Sequence, residues 1–274
     1  MTMQVLGLCR FSYLGHGGFK IMHETLDERR AYLYAPERMD DRFRQFEAIT
    51  LPTIAGQTDP DFDFVIAIGE CFPDRYLVRL QDLTRDVPQI RIRAFPPLRH
   101  RTAMARALDE ARQDIDTPCL QFRLDDDDGM ARDFIERYRQ VAEDTRAFWQ
   151  RHPAVAVDFN TGYVFRCGAR GIEVSPFQFA YSAIALGVIV APGHTEGIMH
   201  HGHHKLWTSM PTITVPGEDM MLRGHNDFND SRAKPGAKQF EYTPLDPESE
   251  AYFKARFNVD NARVKEIFSA SPAA

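Results

Sequence analysis

The sequence predicts an α/β protein: a doubly wound, mostly parallel central sheet in its first half, joined to a mixed α+β second half. Strand-like apolar runs alternate with helix-length amphipathic stretches up to about residue 150, the pattern that produces parallel sheets. The 274 residues, 43% of them hydrophobic, suffice for a large buried core. Beyond His152 the strands shorten and glycine turns separate them. No repeat or low-complexity linker interrupts the chain, so one domain is expected over residues 1–245, divided near residue 128, with a helical tail over 246–274.

Residues 5–13 open the chain as an apolar strand, and the loop Gly15, His16, Gly17 and Gly18 that follows lets backbone approach a ligand closely. Met39, Phe43, Phe46 and Ile49 recur at helical spacing, and Pro52 is expected to end or kink that helix. Residues 62–68 return to strand character. Residues 74–86 read as a helix with Tyr76, Leu77, Leu80 and Leu83 on one face, and residues 90–95 alternate apolar with arginine as a half-exposed strand does. A helix over roughly 102–114 leads into a strand at 119–124, and a long helix from about 131 to 150 follows. Residues 155–158, 163–166 and 172–174 read as short strands. The apolar stretch 183–192 is about half the length needed to span a bilayer, so it reads as buried strand or loop. Two short helical patterns close the tail from about Pro247, the second capped by Asp260.

In the run LQFRLDDDDG over residues 120–129, Leu120, Phe122 and Leu124 form one strand face, and Gln121, Arg123, Asp125 and Asp127 form the other. On an extended strand Asp125 and Asp127 would stand about 7 Å apart at Cα, close enough to converge on one cation with oxygen ligands at about 2.1 Å. Four adjacent carboxylates, Asp125 to Asp128, repel one another, and a divalent cation relieves that repulsion. Mn²⁺ or Mg²⁺ suits these hard oxygen ligands, and the carboxyl end of a parallel strand is where open α/β sheets hold ligands. The competing reading has Asp128 capping the following helix, worth about 1 kcal/mol, with the other aspartates solvated.

A net charge of −6 and a pI near 5.9 leave no general basic field for nucleic acid. Cys9, Cys71, Cys119 and Cys167 are widely spaced without a CxxC pair and read as reduced core thiols. With no basic and apolar leader pattern at the start and no transmembrane stretch, the expected setting is the cytoplasm, including the periphery of the inner membrane.

The segment FRLDDDDG (122–129) resembles the metal-binding DxD motif of glycosyltransferases with the GT-A fold. Two upstream segments, LPTIAGQT (51–58) and FDFVIAI (62–68), are similar to the first-helix and second-strand signature of that group. More narrowly, RFSY (10–13), the stretch from Arg38 and Met39 to Phe46 and Glu47, and RGHNDFNDS (223–231) resemble the bacterial family called putative rhamnosyl transferases, over most of residues 1–235. The resemblance implies a GT-A-like, Rossmann-like sheet with residues 1–128 as the nucleotide-binding half and 129–245 as the acceptor-side half. It implies transfer of a sugar, rhamnose by the family's name, from a dTDP-, UDP- or GDP-linked donor to a glycan or lipid-linked acceptor in surface-polysaccharide synthesis.

Carried onto this chain, the resemblance puts Asp125, with Arg123 beside it, near the nucleotide, and Asp127 and Asp128 at the metal, with Asp125 able to share it. Asp126 would point away. His225 is the candidate further metal ligand and Arg223 the partner of the diphosphate. Arg10, Ser12 and Tyr13 end the first strand, where such proteins contact the nucleotide. Glu218 and Asp219 match the acidic pair that serves as base in related inverting enzymes, with Asp158 as the alternative. Against these roles, Glu218 and Asp219 also read as a helix cap. Two rival functions remain: a sugar-nucleotide-binding protein without turnover, and a zinc-dependent hydrolase using the histidines of residues 200–204, though no HExxH pattern accompanies them. A P-loop, a GxGxxG loop and a GxSxG elbow are all absent from the sequence.

Overall fold

The computed structural model describes residues 3–17, 23–226 and 239–270. Gly18 of the glycine loop and residues 227–231 of the terminal motif lie outside them. The first half builds a parallel core from β1 (Gln4–Arg10), β2 (Asp63–Gly69), β3 (Ile90–Phe95) and β4 (Cys119–Arg123), in the spatial order β3, β2, β1, β4. β1, β2 and β4 are almost wholly buried, as parallel strands covered on both faces must be. β3 is the edge, and its exposed arginines discourage pairing with another chain.

The second half continues the sheet mainly in antiparallel fashion. β8 (Leu186–Val190) runs against β4, β6 (Ala154–Gly168) against β8, and β7 (Gly171–Gln178) and β10 (Thr243–Pro244) complete that edge. β9 (Thr212–Gly224) lies parallel to β6 and carries the short β5 (Gly129–Met130). The outcome is a mixed α/β sheet, wholly parallel only across β3, β2, β1 and β4.

One face packs the larger core. It is covered by α1 (Leu26–Leu33), α2 (Pro36–Gln45), α3 (Leu51–Ala55), α4 (Asp74–Thr84), α6 (Phe134–Asp144), α7 (Arg146–Trp149), α8 (Pro247–Phe257) and α9 (Asn261–Ser269). The other face is covered by α5 (His100–Ala111) and two 3₁₀ turns, Ile198–His200 and His203–Thr208. Phe253, Phe257 and Val264 of the two tail helices are buried in the larger core, so residues 246–270 belong to the same packed body. Asp260 accepts from the N–H groups of Ala262 and Arg263, the expected cap of α9. Among the described residues no helix is long and apolar enough to cross a membrane, and the four cysteines are free.

Several elements differ from the sequence reading. Pro52 does not stop the helix: Phe46–Thr50 widens into a π-helical turn, with Leu51 N–H bonding to Phe46 O, and α3 resumes with Pro52 in its first turn, where a missing N–H costs little. The helix expected over 131–150 begins at Phe134, because Gly129 and Met130 pair with Leu222 and Met221, and it breaks at Thr145. Residues 155–158 and 163–166 are one strand rather than two. Gly162 is no turn there: a Cβ on it would lie 2.0 Å from Met221 O, so glycine admits β9 alongside. Glu218 and Asp219 stand within strand β9 rather than at a helix start.

Candidate active site

The parallel core reverses direction of winding between β1 and β4, and open α/β sheets hold ligands at the carboxyl ends of such a pair. There the structure opens a cavity of about 320 Å³. Arg10 from the end of β1, Arg123 from the end of β4 and Asp125 to Asp128 from the turn after it form one side. Arg42 from α2, His100 and Arg101 from the start of α5, Met199 with residues 201–204, residues 182–184 with Phe179, and Arg223 with Gly224 form the rest. A larger groove of about 520 Å³, bordered by Gln4, Asp61, Asp63 and Arg91, lies at the opposite, amino end of the strands and holds none of the aspartate turn.

The aspartates do not alternate on an extended strand. The chain turns at once, Asp128 N–H bonding to Asp125 O at 3.2 Å, so each carboxylate meets a different neighbour. Asp125 faces the cavity and accepts from Arg123 at 3.2 and 3.3 Å. Burial pushes its carboxyl up, but Arg123 and Arg10 outweigh that and hold it below the usual carboxylate range. Asp126, also in the cavity lining, meets the buried guanidinium of Arg42, and burial raises it to about 7. Asp127 Oδ2 accepts from Asn226 Nδ2 at 2.8 Å. Asp128 Oδ1 accepts from Gly224 N–H at 2.9 Å, and burial with the neighbouring Asp127 and Asp125 charges raises its carboxyl well above the ordinary value. Only glycine fits at 224, where a Cβ would lie 2.2 Å from Asp127 O. Asp128 caps no helix. The residue before α6 is Asp133, which pairs with Arg256 at 2.8 Å.

Other expected residues divide. Arg10, Arg123 and Arg223 border the cavity. Ser12 and Tyr13 do not: both are buried, Ser12 Oγ accepting from Arg38 at 2.9 Å. The Tyr13 hydroxyl donates to Pro96 O at 2.6 Å and accepts from Leu98 N–H at 2.9 Å, so Tyr13 positions the chain entering α5. His16 joins it there, bonding through its backbone to Leu98 and His100. His225 is likewise outside the cavity lining, with Nδ1 2.6 Å from the Tyr242 hydroxyl, while the adjacent Asn226 makes the contact to Asp127.

Glu218 and Asp219 are also corrected. Glu218 forms a two-pronged ion pair with Arg137 at 2.6 and 3.0 Å, and that bond holds its carboxyl below the ordinary value. Asp219 Oδ2 accepts from Tyr252 at 2.6 Å and Tyr163 at 3.1 Å. Neither borders the cavity, because both lie on β9 beside α6 and α8.

The alternative carboxylate, Asp158, stands behind the cavity wall. It is fully buried on β6, opposite Leu186 of β8, on the sheet face that α5 covers. Oδ1 accepts from Tyr181 N–H at 3.0 Å, and Oδ2 is buried without a hydrogen-bond partner. Burial raises the carboxyl to about 6, against the opposing effect of the Tyr181 bond. Tyr181 and Ala185, at φ 57° and 52°, bracket cavity residues 182–184 in a backbone conformation that non-glycine residues rarely adopt.

The histidines of residues 200–204 diverge. His200 Nδ1 accepts from Gly197 N–H at 3.0 Å, His201 faces Glu196 at 3.8 Å, and His203 and His204 meet edge to face. Among the described residues no three His, Cys, Asp or Glu side chains converge as a ready-made metal site. Burial, with Arg10 and Arg123 nearby, lowers His100 to about 3, and burial with Arg123 lowers His203 to about 4, so both rings are neutral at pH 7.

No curated protein matches the sequence. Among solved structures, Staphylococcus aureus TarS 1–349 in complex with UDP-GlcNAc is 10% identical with a TM-score of 0.47, over 83% of this chain and 60% of that one. The same protein in complex with UDP is 10% identical with a TM-score of 0.44, over 81% of this chain and 61% of that one. This chain thus spans about 60% of the length of those structures. The family described as putative rhamnosyl transferase matches residues 4–238, a span that begins with β1 and takes in every residue lining the cavity. The chain therefore belongs to the putative rhamnosyl transferase family.

Proposed function

We propose that the protein is a GT-A-like glycosyltransferase that moves a sugar, rhamnose by the family's name, from a nucleoside diphosphate to a hydroxyl of a glycan or lipid-linked acceptor. The observation that carries this reading is the meeting of the aspartate turn with Arg10, Arg123 and Arg223 around one cavity at the carboxyl ends of β1 and β4. Those guanidinium groups suit paired contacts to diphosphate oxygens, and the neutral rings of His100 and His203 add hydrogen-bonding groups without further charge.

Asp125, Asp127 and Asp128 do not converge as a ready-made site, and one or two of them would hold a divalent cation, Mn²⁺ or Mg²⁺. The residues fit: such ions take one or two carboxylates and complete their shell with water and substrate phosphate, and a cation would relieve the Asp127 and Asp125 repulsion that adds to burial in raising Asp128. When bound, the cation neutralises charge on the departing diphosphate. With Glu218 and Asp219 engaged elsewhere, the base role passes to Asp158, whose carboxyl near 6 suits proton acceptance at neutral pH. The strained loop over it is the part that must shift for Oδ2 to meet an acceptor hydroxyl.

Calorimetric titration of UDP, dTDP and GDP, with and without Mn²⁺, tests the reading. One nucleotide should bind in a metal-dependent way, with the dependence lost in Asp127→Ala. Binding that ignores both metal and Asp127, or no binding, overturns the metal-site assignment. Binding followed by no sugar release or transfer would favour a non-catalytic binding protein.

A further inference from the structure

Six large apolar side chains are among those most exposed in the described residues: Val78, Ile115, Phe148, Phe179, Trp207 and Tyr252. Of these, Phe179 alone borders the cavity, and it is 54% exposed. It does not stand by itself. Phe177 and Phe179, two residues apart at the end of β7, share a strand face and stack with centroids 5.8 Å apart and planes at 16°.

The row continues away from the cavity. Phe240 meets Phe177 edge-on at 5.9 Å, and Tyr242 follows at 6.2 Å. β10 holds these rings beside β7 through the pairing of Thr243 with Val174. Polar groups lie against the row: the guanidinium of Arg223 sits over the Phe177 ring at 5.8 Å from its centroid, that of Arg166 over the Tyr242 ring at 4.2 Å, and His225 bonds the Tyr242 hydroxyl.

We propose that this row is an acceptor subsite that binds the pyranoside units of a glycan and leads its reacting end into the cavity. A pyranoside ring has a C–H-rich face that stacks on an aromatic ring and a rim of hydroxyls that needs donors and acceptors at the ring's edge. Flat rings flanked by guanidinium, imidazole and phenol groups supply both. An acyl chain would need an unbroken apolar channel, which Arg166, Arg223 and His225 interrupt. Phe179 and Arg223 belong to both the cavity and the row, so a glycan lying on the row has one end at the aspartate turn. The role as an acceptor site rests on the transferase reading, whereas pyranoside binding itself does not.

Saturation-transfer NMR on the full chain tests this, with methyl α-L-rhamnopyranoside, methyl β-D-glucopyranoside and maltotetraose as probes, with and without UDP. The wild type should saturate the ring C–H protons of at least one probe, and UDP should not displace it. Phe179→Ala and Phe240→Ala should each weaken binding by about three- to tenfold, the loss expected of one stacking contact. No pyranoside binding, displacement by UDP, or unchanged binding in both folded variants overturns the proposal. Pyranoside binding at the row in a protein that binds no nucleotide leaves the subsite standing and removes the transferase reading instead.

Discussion

Asp158 is the side chain whose environment asks most of the fold. It is buried with one oxygen unpartnered, and its carboxyl is raised to about 6, so folding favours the neutral form relative to the unfolded chain. Its contribution to stability is therefore complete below about pH 4, the unfolded value, and is lost as pH rises through the folded value. Asp158→Asn stays neutral at every pH. Its thermal midpoint should match the wild type at pH 4 and exceed it at pH 8, with a stability gain of about 1–3 kcal/mol. If Asp158 is the base, the same variant should lose about 10²- to 10⁴-fold in kcat, and wild-type kcat/KM should fall on the acid side near pH 6. A variant that is both less stable and fully active would assign Asp158 to structure alone. The aspartate run was legible as charge at the end of an apolar strand, whereas Arg10, Arg123 and Arg223, which border the same cavity, were singled out through the family resemblance. Arg42 and Asn226 were missed. Arg38 and Arg42, four apart on a helix that also carries Met39 and Phe43, were the available signal for buried arginines.

The wall of the cavity opposite the aspartates depends on how 3₁₀ segments are tied to strands. Gln121, buried on β4, accepts from Ile198 N–H at 3.1 Å and so fastens the segment that leads to His201 and His203. Gln121→Ala leaves that buried N–H unpaired, an expected cost of about 1–3 kcal/mol by urea denaturation. Nucleotide affinity in calorimetry should weaken with it, because the histidine wall loses its anchor. Unchanged stability and affinity would show that the segment is held by its apolar contacts. Strands and amphipathic helices were readable from periodicity, whereas their interruptions were not. The π-helical turn before Pro52 and the late start of the helix expected over 131–150 arise from partners distant in sequence: the aspartate turn, whose Asp128 O accepts from Thr50, and β9. Glycine at 162 read as a turn and proved to be a point of close approach between strands.

The tail shows how far the whole chain acts as one packed body. Phe257 of α8 is fully buried, and Asn261 of α9 accepts from Ile172 N–H on β7 at 2.8 Å. Phe257→Ala should lower stability by about 3–5 kcal/mol in denaturant unfolding, the cost of emptying a core aromatic site. A loss below about 1 kcal/mol would instead make the tail an appendage. Local pattern by itself determined that the chain is α/β, that its first half forms a parallel sheet, and that an acidic run ends the fourth strand. These follow from periodicity and charge, which depend on neighbours close in sequence. Tertiary structure alone decided that Glu218 and Asp219 face Arg137 and two tyrosines, that Asp158 lies buried behind the cavity, and that aromatic residues from 177 to 242 form one row. Those outcomes are set by sheet register and strand neighbours, and a one-residue change of register would turn each side chain to the opposite face.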